Sequence, residues 1–204
     1  MLPVGDEVML QRVVRRLGSR VSPIVVVAAA DQELPDLSEE WFRATRRPAV
    51  PSELRASGSL PIVHIARDAV EYRGPLAGLA VGMIQLKGEV DLVYASACDA
   101  PLLKPAFVSA LIEALGDAEI AVPFDGRYHH PLAAVYRLSV LPKIENLLAT
   151  DRLRPVFLFE ECRTREVQIE ELRRIDQELD SLCNTNTPEE YERALRRIAD
   201  EESP

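Results

Sequence analysis

Two carboxylates are the residues of this chain whose type and position best suit phosphate chemistry. Asp99 follows an apolar run at residues 92–97 that predicts a buried strand, and Asp68 follows a second short run at 61–65. Carboxyl ends of parallel strands meet at the ligand-binding edge of an open α/β sheet, so we expect both carboxylates there. A carboxylate at this edge suits Mg²⁺, which takes few protein ligands and completes its shell with substrate phosphates. The alternatives are a surface loop residue for Asp68 and a turn cap before Pro101 for Asp99.

The segment at residues 73–78 has the composition of a turn that faces an anion. Gly74 lets the backbone approach a ligand closely, and Gly78 leaves room for close packing within a helix predicted over residues 76–87. The free N–H groups at the start of such a helix attract anions. The alternative is an ordinary junction between a loop and a helix, with a glycine at a packing contact.

The histidines and cysteines do not have the spacing of a zinc site. Two adjacent histidines lie in a predicted turn at residues 128–131 and cannot share one helical metal face, so a substrate contact and a plain polar turn stay open for His130. The three cysteines are odd in number and include no C-x-x-C pair, which indicates a reducing cytoplasm rather than a disulfide framework. We expect Cys98 to be a small buried residue and not a nucleophile, because no basic partner is evident.

The segment before the last predicted helix, at residues 188–199, is unusually rich in amides. Thr187 and Glu190 have the spacing of a capping box. Capping does not account for Asn184 and Asn186, whose side-chain amides can serve a ligand ring.

Apolar and amphipathic segments alternate along the chain. Strands are predicted at residues 23–29, 61–65, 92–97, 118–124, 132–136 and 167–169. Helices are predicted at residues 8–17, 36–46, 76–87, 105–115, 139–148 and 188–199. This alternation predicts an α/β fold with a three-layer, mostly parallel, doubly wound sheet. The length of 204 residues suits a single domain spanning 1–204.

The charge balance excludes some classes of partner. Thirty-three acidic and 24 basic residues give a net charge of −9, whereas nucleic-acid binders usually carry a basic stripe.

No apolar run approaches the ~18 residues of a membrane span, and no signal peptide is visible at the amino end. We therefore expect a cytoplasmic protein that contacts neither nucleic acid nor membrane.

The order of four motifs resembles the molybdenum cofactor guanylyltransferase family. The motifs are Gly-Pro-Leu-Ala-Gly at 74–78, Cys-Asp-Ala-Pro at 98–101, His-Pro-Leu-Ala at 130–133 and Asn-Thr-Asn-Thr-Pro-Glu-Glu at 184–190. The resemblance covers nearly the whole chain. It implies the fold of the nucleotide-diphospho-sugar transferases and the transfer of GMP from GTP to the terminal phosphate of molybdopterin, with release of pyrophosphate. Partners would be molybdoenzymes or other proteins of cofactor biosynthesis.

The resemblance also implies roles for individual residues. The magnesium-binding aspartate of the family falls on Asp99, and a second aspartate that contacts the nucleotide falls on Asp68. Gly74 and Gly78 would lie on the nucleotide side. The pterin side would lie near His130, Asn184 and Asn186.

The chain departs from the family pattern at two places. Family members begin with a strand and a loop of the form Leu-x-Gly-Gly-x-Ser-x-Arg-Met-Gly, followed by a Lys, and none of this precedes Leu2-Pro3 here. Ala28 stands where the family often has an amide that contacts the base. Because the missing strand would lie inside the sheet, we expect the strand at 23–29 to face an unpaired edge.

Three explanations of the missing loop are open: a misassigned start, a trimmed chain, or a genuine paralogue without catalysis. We favour the first, because an unpaired edge inside a sheet is costly for a natural fold. We expect residues 1–204 alone to be inactive. The alternative functions are cytidylyl transfer, nucleotidyl transfer to another phosphorylated acceptor, and non-catalytic binding of a pterin or a partner.

Overall fold

The computed structural model describes residues 2–44, 60–68 and 73–202. The strands are β1 Pro3–Val4, β2 Glu7–Val8, β3 Ile24–Ala29, β4 Val63–Asp68, β5 Leu92–Ser96, β6 Ile120–Phe124, β7 Ala133–Arg137 and β8 Thr164–Gln168. The α-helices are α1 Met9–Leu17, α2 Glu39–Ala44, α3 Pro75–Gln85, α4 Pro105–Leu115, α5 Leu141–Ala149, α6 Pro155–Glu161, α7 Ile169–Leu172 and α8 Pro188–Glu202.

The strands form a terminal hairpin and two separate sheets. β1 and β2 pair antiparallel, β3 and β4 pair parallel, and a four-stranded sheet has the order β5-β7-β6-β8. In that sheet β7 runs antiparallel to β5 and β6, whereas β8 is parallel to β6. The α/β class and the mostly parallel arrangement are confirmed, although β7 runs against β5, β6 and β8 and makes the sheet mixed. The connection at residues 125–132 is the cause, because it is too short for the crossover of a dozen or more residues that a parallel pair needs.

Helices cover both faces of the strands, as the three-layer prediction requires. On one face α3, α5 and α6 pack against the four-stranded sheet around Met83, Ile120 and Ile144, all of which are fully buried. On the other face α1 and α4 pack against β3 through residues that include Val14 and Val108. The core therefore consists of two layers of apolar side chains on either side of the strands.

Several boundaries differ from the sequence prediction. β4 begins two residues later than predicted and extends to Asp68, so this carboxylate ends the strand itself rather than lying in the following loop. β8 covers residues 164–168, mostly before the predicted 167–169. The β1–β2 hairpin, α6 and α7 were not predicted, because segments this short carry too few residues to show a period. Residues 45–46 of the predicted helix at 36–46 lie outside the described residues.

A buried arginine joins the two ends of the chain to the turn after β5. Arg12 is 1% exposed, and its Nε donates to the carbonyl oxygen of Pro101 at 3.0 Å. Its Nη1 and Nη2 lie 3.4 Å from Glu7 and 3.5 Å from Glu201. Since Glu7 follows the hairpin turn and Glu201 lies in the last turn of α8, one guanidinium connects three segments that are distant in sequence.

We expect Arg12→Met to lower the free energy of unfolding by about 3 kcal/mol or more, because removing one partner leaves buried acceptors unpaired. Urea denaturation measures the loss. Arg43→Met is the matched control, since its ion pair with Glu39 is exposed and worth at most about 1 kcal/mol. Equal losses of unfolding free energy in the two variants would show that the buried ion pairs stabilise the fold no more than an exposed ion pair does.

Candidate nucleotide site

The carboxyl ends of β4 and β5 border one cavity. This cavity has a volume of about 720 Å³, lies between β3 and β5, and is lined at one end by Asp68, Gly74 and Cys98. α3 leads from the carboxyl end of β4 to the amino end of β5 and packs on β3 and β4, which indicates a parallel β-α-β arrangement. Both carboxylates are half-buried: Asp68 is the last residue of β4 and lines the cavity, whereas Asp99 lies three residues beyond the end of β5.

Gly74 occupies a backbone conformation that favours glycine. Its φ is +78°, and it caps the amino end of α3 with Pro75 at the first helical position. An added Cβ would meet only the carbonyl oxygen of Leu153, at 4.0 Å, so the conformation rather than the space requires glycine. The preceding Arg73 donates to the carbonyl of Leu148 at 2.8 Å, which holds the turn against the end of α5. The start of α3 thus faces the same cavity end as Asp68.

Gly78 lies one helical turn further along α3. It lines the cavity, and a Cβ at this position would meet no atom within 4 Å. Among the described residues, no packing contact therefore requires glycine at this position. The close packing contact predicted from the sequence is not present. The structure places Gly78 beside Asp68 and Gly74 on the cavity wall.

Thr185 connects the amide-rich segment to the Asp99 turn. Its backbone N–H and its Oγ1 both donate to the carbonyl oxygen of Asp99, at 3.0 and 3.1 Å. Asn184 and Asn186 flank this residue and are exposed. The structure therefore holds the backbone of this segment against the turn that contains Asp99. Thr185 itself was missed, and its only sequence signal is its place between the two asparagines.

The helix that follows has the predicted cap. The backbone N–H of Glu190 donates to Thr187 Oγ1 at 3.2 Å, and Glu190 Oε2 accepts from the N–H groups of Thr187 and Asn186 at 2.9 and 2.8 Å. This capping box involves only the backbone of Asn186. The side-chain amides of Asn184 and Asn186 have no part in it, and they remain the feature that capping does not explain.

The two adjacent histidines lie on different surfaces of the protein. His130 is half-buried beside the carboxyl end of β5, since Ala97 donates its N–H to the carbonyl of Leu132 at 3.0 Å. Burial lowers the pKa of His130, against the opposing effect of Asp125, whose carboxylate is 3.8 Å away. The imidazole is therefore a neutral donor or acceptor at pH 7.

His129 belongs to a different surface. Its Nε2 lies 2.7 Å from Glu166 Oε1, and its ring packs against Phe124 and Phe159. It lines a second, shallower cavity of about 660 Å³ beside β8. Only the second histidine of the pair thus lies near β5.

Cys98 corrects one prediction. The residue is exposed rather than buried, because it follows the end of β5 and borders the open cavity. Partial desolvation of the thiol, and next the neighbouring Asp99 carboxylate, raise its pKa. The thiol is therefore protonated at neutral pH, which agrees with the prediction that it is not a nucleophile.

A cation at the Asp99 edge would have few protein ligands. Within residues 2–44, 60–68 and 73–202, no three His, Cys, Asp or Glu side chains are grouped to hold a metal ion. A Mg²⁺ ion at this edge would be bound by one or two carboxylates and by substrate phosphates, which is its usual mode of binding.

No helix among the described residues is long and apolar enough to cross a membrane.

Solved structures with the same fold come from several organisms. Molybdopterin-guanine dinucleotide biosynthesis protein A of Archaeoglobus fulgidus superposes with a TM-score of 0.67 at 18% identity, covering 98% of this chain and 89% of its own. A Mycobacterium tuberculosis protein, Rv0371c, in complex with manganese superposes with a TM-score of 0.55 at 15% identity, covering 96% and 90%. At these identities the likeness shows the fold alone.

Sequence comparison gives closer matches. The molybdenum cofactor guanylyltransferase of Desulfosudis oleivorans is 34% identical over 66% of this chain and 66% of its own length. A probable molybdenum cofactor guanylyltransferase of Mycobacterium avium is 31% identical over 72% and 64%. The matches thus span about two thirds of these relatives. A family model described as the MobA-like NTP transferase domain matches residues 1–164. The chain therefore belongs to the MobA-like NTP transferase family.

Proposed function

We propose that the protein transfers GMP from GTP to the terminal phosphate of molybdopterin, with Mg²⁺ as cofactor, in the cytoplasm. The observation that carries the proposal is the pair of hydrogen bonds from Thr185 to Asp99, at 3.0 and 3.1 Å. They join the backbone of Asp99, whose carboxylate suits a nucleotide-bound cation, to the segment whose side-chain amides suit a pterin. The names of the curated relatives support the same reaction.

The proposed reaction is a displacement at the α-phosphorus of GTP. An oxygen of the molybdopterin phosphate forms the new P–O bond, and the bond from the α-phosphorus to the bridging oxygen breaks, so pyrophosphate leaves with the electron pair. Catalysis of this kind depends on positioning and on charge stabilisation of the phosphates. When bound, Mg²⁺ supplies charge neutralisation on the phosphates.

Named residues have distinct parts in the proposal. Asp99 holds the cation, and Asp68, at the end of β4, contacts the nucleotide. The backbone N–H groups at Gly74 and at the start of α3 approach the phosphates. Gly78 lies one turn further along the same helix. The pterin meets the amides of Asn184 and Asn186 and the neutral imidazole of His130.

Cytidylyl transfer is the second candidate, and the observation that favours it is Ala28. This residue ends the buried part of β3, is 4% exposed, and offers no side-chain amide to a guanine. Any discrimination between guanine and cytosine must then come from backbone groups or from residues elsewhere.

We expect replacement of both Asn184 and Asn186 by Ala to weaken molybdopterin binding roughly 10- to 100-fold, since each lost hydrogen bond costs about 0.5–1.5 kcal/mol. The affinity for GTP should not change. Isothermal titration calorimetry with each ligand separately measures both constants. Glu192→Ala, in the exposed part of α8, is a matched control and should leave both affinities as they are.

Equal weakening of both ligands would point to a folding effect, which the thermal midpoint of the variant would reveal. Unchanged molybdopterin affinity in a variant that melts normally would remove these amides from the site, and with them the pterin half of the proposal.

A further inference from the structure

Asp176 is a buried carboxylate between α7 and α8 that has no part in the proposed reaction. Its side chain is 0% exposed, and its Oδ1 accepts a hydrogen bond from Lys104 Nζ at 2.7 Å. Its Oδ2 accepts from the backbone N–H of Ser181 at 2.7 Å. A fully buried carboxylate is unfavourable unless it is paired and hydrogen-bonded, so both contacts are needed to keep Asp176 in the interior.

Lys104 makes two further contacts to the same part of the chain. Its Nζ lies 3.1 Å from Oδ2 of Asp180, which is 6% exposed and also pairs with Arg197 of α8. Its backbone N–H donates to Ser181 Oγ at 3.0 Å. We call the contacts of Lys104 with Asp176, Asp180 and Ser181 the α4 clamp, because Lys104 is the residue directly before α4. The clamp connects the start of α4 to residues 176–181.

The residues beyond the clamp form a series of tight turns. The N–H groups of Leu179, Leu182 and Cys183 each donate to the carbonyl three residues earlier, at 2.9, 3.0 and 3.0 Å. These local hydrogen bonds determine the shape of the segment. Its place relative to α4 depends on contacts between distant residues, which are the packing of Leu179 in the core and the α4 clamp.

Two segments of the candidate site are joined at both ends. At one end Thr185 donates twice to the carbonyl of Asp99, at 3.0 and 3.1 Å. At the other end Ser181 accepts from the N–H of Lys104 at 3.0 Å. Since Lys104 follows Asp99 in sequence and Thr185 follows Ser181, the two segments run in opposite directions.

Asn184 lies between these two joints, and Asn186 lies directly after the second. Four residues span at most about 14 Å even when fully extended, so a segment fixed at both ends leaves the backbone of Asn184 little freedom. The facing turn is also fixed, because the buried Arg12 donates to the carbonyl of Pro101 at 3.0 Å. The double connection therefore sets the distance between the amide-rich segment and the turn after β5.

We propose that Lys104 is a positioning residue for the acceptor side of the site. Through the α4 clamp it holds the segment that carries Asn184 and Asn186 in place against the turn that carries Asp99. Lys104 acts through this segment and not on the reacting atoms. The identity of the acceptor rests on the proposed function, whereas the clamp does not.

Amide exchange tests the clamp without reference to activity. In Lys104→Met of residues 1–204, the upstream joint is lost and the segment opens locally. We expect the N–H groups of Ser181, Cys183 and Thr185 to exchange at least ~10-fold faster than in the parent. Exchange at Ala121, in the core strand β6, should change far less, since it reports global unfolding. Unchanged exchange at all three reporters would overturn the clamp.

Steady-state kinetics of the upstream-extended protein test the positioning role. A small misplacement caused by a remote change can cost about 10²-fold in rate. We therefore expect Lys104→Met to lower kcat/KM for molybdopterin roughly 100-fold and to leave the KM for GTP unchanged. Lys104→Arg keeps the charge and should stay within about 3-fold of the parent. Faster exchange with unchanged kcat/KM for molybdopterin would show that the clamp does not position the acceptor.

Lys143→Met is the matched control. Lys143 is similarly exposed, at 36% against 30% for Lys104, and its Nζ lies 2.9 Å from Glu119 in an ion pair away from the clamp. The substitution is therefore the same in kind and in burial. We expect it to leave exchange at Thr185 and the kinetics with molybdopterin as in the parent. Equal effects of the two Met variants would contradict a specific role of Lys104.

A double variant keeps the test decisive where Lys104→Met alone does not fold. Lys104→Met with Asp176→Asn removes the cation together with the carboxylate that it neutralises, so no unpaired charge stays buried at residue 176. We expect this variant to fold and still to exchange faster at Thr185 by at least ~10-fold. Parent-like exchange at Thr185 in the folded double variant would overturn the clamp. A parent protein that transfers no GMP would contradict the proposed function alone, because the exchange result stands independently of activity.

Discussion

Asp99→Asn is expected to lower guanylyl transfer about 10³-fold, in a form of the protein extended upstream in frame. The amide has almost the shape of the carboxylate but carries no charge, so it is a poor ligand for Mg²⁺. The charge on the reacting phosphates then lacks its main stabilisation, and the loss of one such element typically costs a factor of 10²–10³ or more. Release of pyrophosphate from GTP in the presence of molybdopterin, with Mg²⁺ limiting, measures the effect.

Two controls make the Asp99 result specific. Asp117→Asn removes an exposed carboxylate after α4 and should leave the rate unchanged. The melting temperature of Asp99→Asn should stay near that of the parent, because the hydrogen bonds of this turn to Thr185 use the backbone carbonyl of Asp99. Transfer at the parent rate with limiting Mg²⁺ would show that Asp99 does not hold the cation.

The polypeptide of residues 1–204 is expected to turn over at least about 10³-fold more slowly than the same protein extended upstream in frame. Transfer needs a preorganised set of N–H groups and a cation around the triphosphate, and these supply several kcal/mol of stabilisation. The sequence has 9 glycines, and Gly74 and Gly78 are already placed at the start of α3. No second glycine-rich loop remains within residues 1–204 to surround the phosphates.

Guanylyl transfer by the two forms, measured side by side under saturating GTP, tests this second prediction. The extended form should also melt at a higher temperature, because a strand between β3 and β5 would pair both free edges. Comparable turnover by the two forms would mean that residues 1–204 hold the triphosphate without a further loop.

The parts of the site that depend on local pattern could be predicted from the sequence. The apolar runs before Asp68 and Asp99 predicted two strands, and the carboxyl ends of such strands meet for reasons of topology alone. The capping box at Thr187 is equally local, since its partners lie three residues apart.

The parts that depend on contacts between distant segments could not be predicted. In the sequence, Arg12 has the pattern of a polar residue of an amphipathic helix. Its burial could not be predicted, because the carbonyl that accepts from its Nε belongs to Pro101, 89 residues away. Thr185 contacts Asp99 across 86 residues. Cys98 was expected to be a small buried residue, but the open cavity beside β5 leaves it exposed.

The transfer of labelled nucleotides onto molybdopterin is the most direct test of the proposed guanylyl transfer. The upstream-extended protein is incubated with molybdopterin, Mg²⁺ and GTP, CTP or ATP, each labelled at the α-phosphate, and the products are separated. We predict that label from GTP appears in a molybdopterin dinucleotide with one pyrophosphate released per transfer, and that CTP and ATP react at less than about a tenth of that rate, a difference of roughly 1.4 kcal/mol. Preferential transfer from CTP, or the absence of label on molybdopterin from any nucleotide, would contradict the proposal that the Asp99 site makes a guanine dinucleotide.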